Sequence, residues 1–169
     1  IVVNAVPFKQ DLFKGIHSQE RFSFGTVYFP IAYFILLSFF WNYPEFIIIS
    51  MIILAISDPL AAIVGESSKA PNNFTIWEDI KSVQGSIAFF VSTFIIVFTA
   101  SNFFEINISS PLYFALFVSL GATLGEMVSD SGSDNVSIPV LSILLMIFYS
   151  DLVNSNHSVD NQHILTVSL

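Results

Sequence analysis

Three short stretches hold the residues whose types and spacing could do chemistry. In ISDPLAAIVGE, residues 56–66, a helix would set Asp58, Ala61, Ala62 and Gly65 at i, i+3, i+4 and i+7, a carboxylate in line with three small residues. Such a stripe admits a close neighbour, either a helix or a ligand. Pro59 deprives the Ala55 carbonyl of its intrahelical donor, so a local break is expected there, of the kind tolerated beside a polar cavity. KSVQGS, residues 81–86, supplies Lys81 as a point charge, followed by Ser82, Gly85 and Ser86 at a helix start. N–H groups point outward at such a place and the helix dipole favours an anion, so a phosphate would fit. The plainer reading is a headgroup-level lysine and an ordinary Ser cap. GATLGEMVSDSGSDNVSIP, residues 121–139, sets Glu126 and Asp130 at i, i+4, a like-charge pair that a divalent cation would neutralise. Asp134 and Asn135 follow the bend at Gly132 and offer the hard oxygens that Mg²⁺ prefers, while Asn135 suits equally the role of N-cap ahead of Pro139.

These residues need elements to hold them, and the composition says which kind. Of 169 residues, 54% are hydrophobic, 15% aromatic and 11% charged, far from the balance of a water-soluble domain. Mean hydropathy is +0.75, which points to lipid as the solvent. Five apolar stretches approach the roughly 20 residues that a membrane helix needs: 26–41, 46–64, 86–104, 112–128 and 136–152. The first is short and ends in Trp41 and Tyr43, residues that suit a headgroup layer. The fold expected is therefore an all-α, polytopic membrane bundle of about five transmembrane helices. A juxtamembrane segment, 1–25, precedes the spanning domain, 26–152, and a polar tail, 153–169, follows it as a loop or frayed end.

If the five spans alternate, all five basic residues share one side, namely Lys9, Lys14, Arg21, Lys69 and Lys81. The other side carries only the acids Glu45, Glu105, Asp151 and Asp160. By the positive-inside rule the basic side is cytoplasmic. The acids at membrane depth, Asp58, Glu126, Asp130 and Asp134, fall on that same side, and charges placed there mark a site more often than decoration. The chain opens on IVVNAVPF, without the basic region and cleavage site of a secretory signal, and is read as starting within a longer protein.

SDPLAAIVGE, KSVQGSIAFF and GEMVSDSGSDNVSIP, in this order and spacing, resemble the membrane family of phytol kinase, dolichol kinase and CTP-dependent diacylglycerol kinase, itself related to CDP-diacylglycerol synthase. ERFSFGTVYFP, residues 20–30, is similar to the segment before a span in the phytol-kinase-like branch, and the resemblance covers roughly residues 20–150. It implies phosphoryl transfer from CTP or another nucleoside triphosphate to the hydroxyl of a prenol, phytol, dolichol or diacylglycerol, with Mg²⁺ at the cytoplasmic membrane face. Asp58, Lys81 and Asp134 would be catalytic. Gly65, Lys69, Ser82, Gly85, Ser86 and Asn135 would contact the nucleotide, and Asp58, Glu126, Asp130 and Asp134 would surround the metal. Such transfer depends on positioning and charge neutralisation more than on a covalent nucleophile. The chain departs from the family pattern in having Ser57 before Asp58, in its ESSKAPNN loop, and in lacking the family's N-terminal spans.

Two other readings use the same acids. A CTP-dependent phosphatidate cytidylyltransferase would employ the same metal cluster, with a lipid phosphate attacking the α-phosphate. An ion-coupled transporter would bind a cation at broken helices, although its acids ordinarily lie at the midplane. The compact design suggests a prokaryotic plasma membrane. His17, His157 and His163 lack metal-ligand spacing, the Asn107-Ile-Ser109 and Asn156-His-Ser158 patterns are too short to weigh, and no Walker motif, GxSxG or basic nucleic-acid face is present. With no Cys, the chain has neither disulfides nor thiolate ligands.

Overall fold

A computed structural model describes residues 25–68, 71–76, 79–129 and 133–167. Helix α1 spans Gly25–Phe40. Helix α2 spans Pro44–Ser67, in three parts: α-helical Pro44–Ile52, a π-helical turn Ile53–Ser57, and α-helical Asp58–Ser67. A β-hairpin follows, β1 (Asn73–Ile76) pairing antiparallel with β2 (Asp79–Ser82) so that Phe74 lies opposite Lys81. Helices α3 (Val83–Phe103), α4 (Pro111–Val128) and α5 (Asp134–Val167) complete the chain.

Four of these helices are long and apolar enough to cross a membrane: Pro44–Ser67, Val83–Phe103, Pro111–Val128 and the Asp134–Val153 part of α5. The chain is an all-α polytopic bundle and an integral membrane protein. Helix α1 coincides with the first expected span, but its apolar run, Tyr28–Phe40, falls short of the spanning length. Two other expectations need correction. The ESSKAPNN loop runs at Asn73 into the hairpin, so the connection between the spans expected at 46–64 and 86–104 is not a plain loop. The tail is not a loop either, since α5 runs on to Val167.

The break expected at Pro59 is present as the π turn just before Asp58. Proline cannot donate an N–H to the preceding turn, and widening to i→i+5 pairing over Ile53–Ser57 accommodates that missing donor. Helix α2 packs on α3, α3 on α4 and α4 on α5, and α5 returns to α1 and to the first part of α2. The shared core holds Ile49, Ile53, Phe89, Phe114, Val118, Ile143 and Met146. Lipid tails are as apolar as these side chains, so close packing rather than escape from water holds the helices together. Small residues supply that closeness: a Cβ on Gly121 would meet Leu145 at 2.6 Å, and one on Gly125 would run into Leu141. Buried hydroxyls add specific ties, with Thr93 of α3 donating to Ser57 of the π turn at 3.0 Å.

Alternation of the helices brings the C-terminal ends of α2 and α4 and the N-terminal ends of α3 and α5 to one end of the bundle. The hairpin lies at that same end, between α2 and α3.

Candidate active site

Helices α2 and α3 meet there almost backbone to backbone. A Cβ on Gly85 would stand 2.8 Å from the Ala61 carbonyl oxygen, and one on Gly65 would stand 2.7 Å from Ser82 Oγ. The neighbour of the small-residue stripe is therefore the start of α3. Ser82 is the N-cap of that helix, its Oγ accepting from the Gly85 N–H at 3.1 Å. The hairpin is tied to the same helix start: Val83 N–H donates to the Asn72 carbonyl at 3.0 Å, and Asn72 N–H donates to Gln84 Oε1 at 3.1 Å.

Lys81, the last residue but one of β2, reaches across to α4. Its Nζ stands 2.7 Å from Glu126 Oε1 and also donates to the Glu126 main-chain carbonyl. The other oxygen of that carboxylate accepts from Ser86 Oγ at 3.5 Å, a long contact. Glu126 is thereby committed to neighbours inside the protein, and the ammonium, with three donors, keeps one free of Glu126.

On the far wall, α5 begins at Asp134. Its Oδ1 accepts from the Asn135 N–H at 2.8 Å and from Asn135 Nδ2 at 3.1 Å. Asn135 thus lies in the first turn of the helix, not at its cap, and Pro139 lies beyond that turn. Ser129, at the end of α4, bonds Ser137 of α5 across 2.7 Å and fixes the two helix ends together.

These ends enclose a cavity of about 410 Å³. Asp58, Ala61, Ala62, Gly65 and Glu66 reach it from α2, Ser82, Gly85 and Ser86 from the start of α3, Glu126 from α4 and Asp134 from α5. Asn73, Ile80 and Lys81 come from the hairpin, with Pro71 ahead of it. The structure therefore brings Asp58, Gly65, Lys81, Ser82, Gly85, Ser86, Glu126 and Asp134 to one place, although they are distant in sequence. Asn135 is not on the wall and instead holds Asp134. Lys69 and Asp130 lie outside the described residues. Helix α4 ends at Val128, with Ser129 extended. Glu66, Asn73 and Ile80 were missed; the period-2 apolar pattern of Phe74, Ile76 and Ile80 is the signal for the hairpin, but four-residue strands carry little of it.

Among the described residues, four carboxylates, one of them the exposed Glu66, and one ammonium line this cavity. Among the described residues, no three His, Asp or Glu side chains are grouped tightly enough to hold a metal by themselves. Magnesium is ordinarily held by one or two carboxylates, with substrate phosphates and waters completing its shell. Asp58 and Asp134 fit that requirement. Glu126, tied to Lys81 and Ser86, does not.

The chain is 30% identical over 131 residues to the probable phytol kinase 1, chloroplastic, of Oryza sativa subsp. japonica, a match covering 71% of this chain and 40% of the relative. It is 29% identical over 138 residues to the probable phytol kinase, chloroplastic, of Triticum aestivum, covering 75% of this chain and 44% of the relative. The chain is similar to phytol kinases. It spans less than half the length of these curated relatives. No family model matches the chain. No solved structure matches it either. The names of both relatives point to chloroplasts, which lends no support to the prokaryotic plasma membrane expected from the compact design.

Proposed function

We propose that this chain carries the phosphotransfer site of a phytol-kinase-like membrane enzyme, which moves a phosphoryl group from CTP or another nucleoside triphosphate to the hydroxyl of a lipid alcohol. The observation that carries this reading is the gathering of Asp58, Lys81, Asp134 and the capped start of α3 around one cavity, in a chain similar to phytol kinases. Nucleotide phosphates suit the N-terminal ends of α3 and α5, where N–H groups and helix dipoles favour negative charge. The third donor of Lys81 serves a phosphate oxygen while Glu126 holds the other two. Asp58 and Asp134 would hold Mg²⁺, which when bound neutralises charge on the phosphates.

In the reaction, the alcohol oxygen forms a bond to the γ-phosphorus and the bond from that phosphorus to the bridging oxygen breaks. The nucleoside diphosphate leaves, and the hydroxyl proton passes to a carboxylate of the cavity. The expected sidedness, from the positive-inside rule, would put the site on the cytoplasmic face or its equivalent in an organelle.

The test is a transfer assay in lipid micelles with labelled CTP and ATP, Mg²⁺, and phytol, a polyprenol or diacylglycerol as acceptor. Label in a lipid monophosphate, lost in Asp58→Asn and Lys81→Ala, supports the kinase. A nucleotidyl lipid with release of pyrophosphate, or no transfer by folded protein, overturns it.

A further inference from the structure

A second cavity lies on the other half of α2. It measures about 570 Å³ and runs between α1 and the first part of α2, with Tyr33 and Trp41 on one side and Ile48, Ile52 and Ala55 on the other. Apart from the Tyr33 hydroxyl, the Trp41 indole N–H and the Met51 thioether, the side chains lining it are hydrocarbon or aromatic carbon.

The two cavities reach α2 at positions three residues apart: Ala55, within the π turn, lines the apolar cavity, and Asp58, the first residue after that turn, lines the polar one. From Pro44 to Ala55 the groove follows α2 for about 16 Å, roughly half of a bilayer's hydrocarbon thickness of about 30 Å. Asp58 in turn lies about 13 Å of helix below the Ser67 end. An acceptor with a bulky polar head would have to shed its hydration to reach that depth, whereas a bare hydroxyl on a hydrocarbon chain gives up little.

We propose that this groove holds the hydrocarbon chain of the acceptor. Resting on the kinase reading above, the assignment places the hydroxyl at Asp58 and lays a single long chain along α2 toward Trp41. Proximity to the polar cavity, depth in the membrane and an apolar lining all favour a lipid chain as the occupant. The single furrow between two helices favours one chain over the paired chains of a diacylglycerol.

The test uses a long-chain alcohol with a diazirine midway along its chain, photolysed with the protein in lipid nanodiscs, and mapping of the labelled peptides. Label is expected on the Tyr33–Trp41 and Ile48–Ala55 segments, displaced by excess plain alcohol and not by diacylglycerol. Ala55→Trp, which fills the groove, is expected to reduce labelling and to raise the KM for the alcohol by about tenfold with little change in kcat. Should that variant misfold, labelling of the unaltered protein decides alone. Label elsewhere in the protein, label that plain alcohol does not displace, or a groove left unlabelled because another protein segment fills it overturns the proposal. The two readings fail separately. Transfer that persists with label outside the groove removes the groove and spares the kinase, while a specifically labelled groove without transfer to any alcohol removes the kinase and leaves a lipid-chain site.

Discussion

Lys81 and Glu126, 45 residues apart in sequence, form an ion pair of 2.7 Å with side chains only 14% and 9% exposed. Removing one member of such a pair leaves the other charge desolvated without its partner, at a cost on the order of 3 kcal/mol, whereas removing both costs less than the sum. Lys81→Ala and Glu126→Ala are therefore expected to show a coupling of about 1–3 kcal/mol in a double-mutant cycle of detergent unfolding. Additive losses would mean that the contact contributes nothing to holding the hairpin against α4.

The same pairing sets Glu126 apart from Asp58 and Asp134, the residues proposed to hold Mg²⁺. Asp58→Asn and Asp134→Asn are expected to lower the rate of transfer on the order of 10²-fold or more and to raise the Mg²⁺ concentration needed. Glu126→Gln keeps an oxygen for Lys81, lowers the rate less, and leaves the Mg²⁺ requirement unchanged. Titrating Mg²⁺ in each variant checks this; a shift in Glu126→Gln as large as that in Asp58→Asn would return Glu126 to the metal.

Much of this site was legible because each residue broke a local rule. A carboxylate beside proline at membrane depth, a lysine just ahead of an apolar run, and an Asp-Asn pair opening another all stand out against an apolar background. Hydropathy also located the four long helices to within a few residues. What stayed hidden depends on contacts between distant segments. The partner of Lys81 is fixed by how α3 and α4 lie against each other, and neither segment records that register. The hairpin escaped because its strands are too short for a periodic signal, and the end of α4 before Asp130 because the Ser129–Ser137 bond that accompanies it joins two helices.

The approach of α2 to α3 depends on having no side chain at Gly85, where a Cβ would press on the main-chain oxygen of Ala61 at 2.8 Å. Backbone yields poorly, so Gly85→Ala is expected to cost about 1–3 kcal/mol and to disturb the cavity. At Gly65 the obstacle is the Ser82 hydroxyl, which can rotate away at the loss of its cap, worth about 1 kcal/mol. Thermal unfolding in detergent should thus rank Gly85→Ala below Gly65→Ala in midpoint. The reverse order would show that the hydroxyl, not the carbonyl, limits the contact.

At the opposite end of the bundle, Glu105 holds φ at 51°, in the left-handed region, just past the end of α3. Ile106 N–H donates to the Ser101 carbonyl at 3.0 Å and Glu105 N–H to that of Asn102 at 3.4 Å, the bonding pattern that ends a helix on a left-handed residue. Glycine takes this conformation without the clash a Cβ brings, so Glu105→Gly is expected to stabilise the protein by up to about 1 kcal/mol despite its greater freedom when unfolded. Glu105→Ala removes the same charge but keeps the Cβ, and should gain nothing. Comparing the two midpoints isolates the backbone: an equal gain in both would assign the effect to the lost carboxylate, and a loss in Glu105→Gly alone would mean that unfolded-chain entropy outweighs the relieved strain.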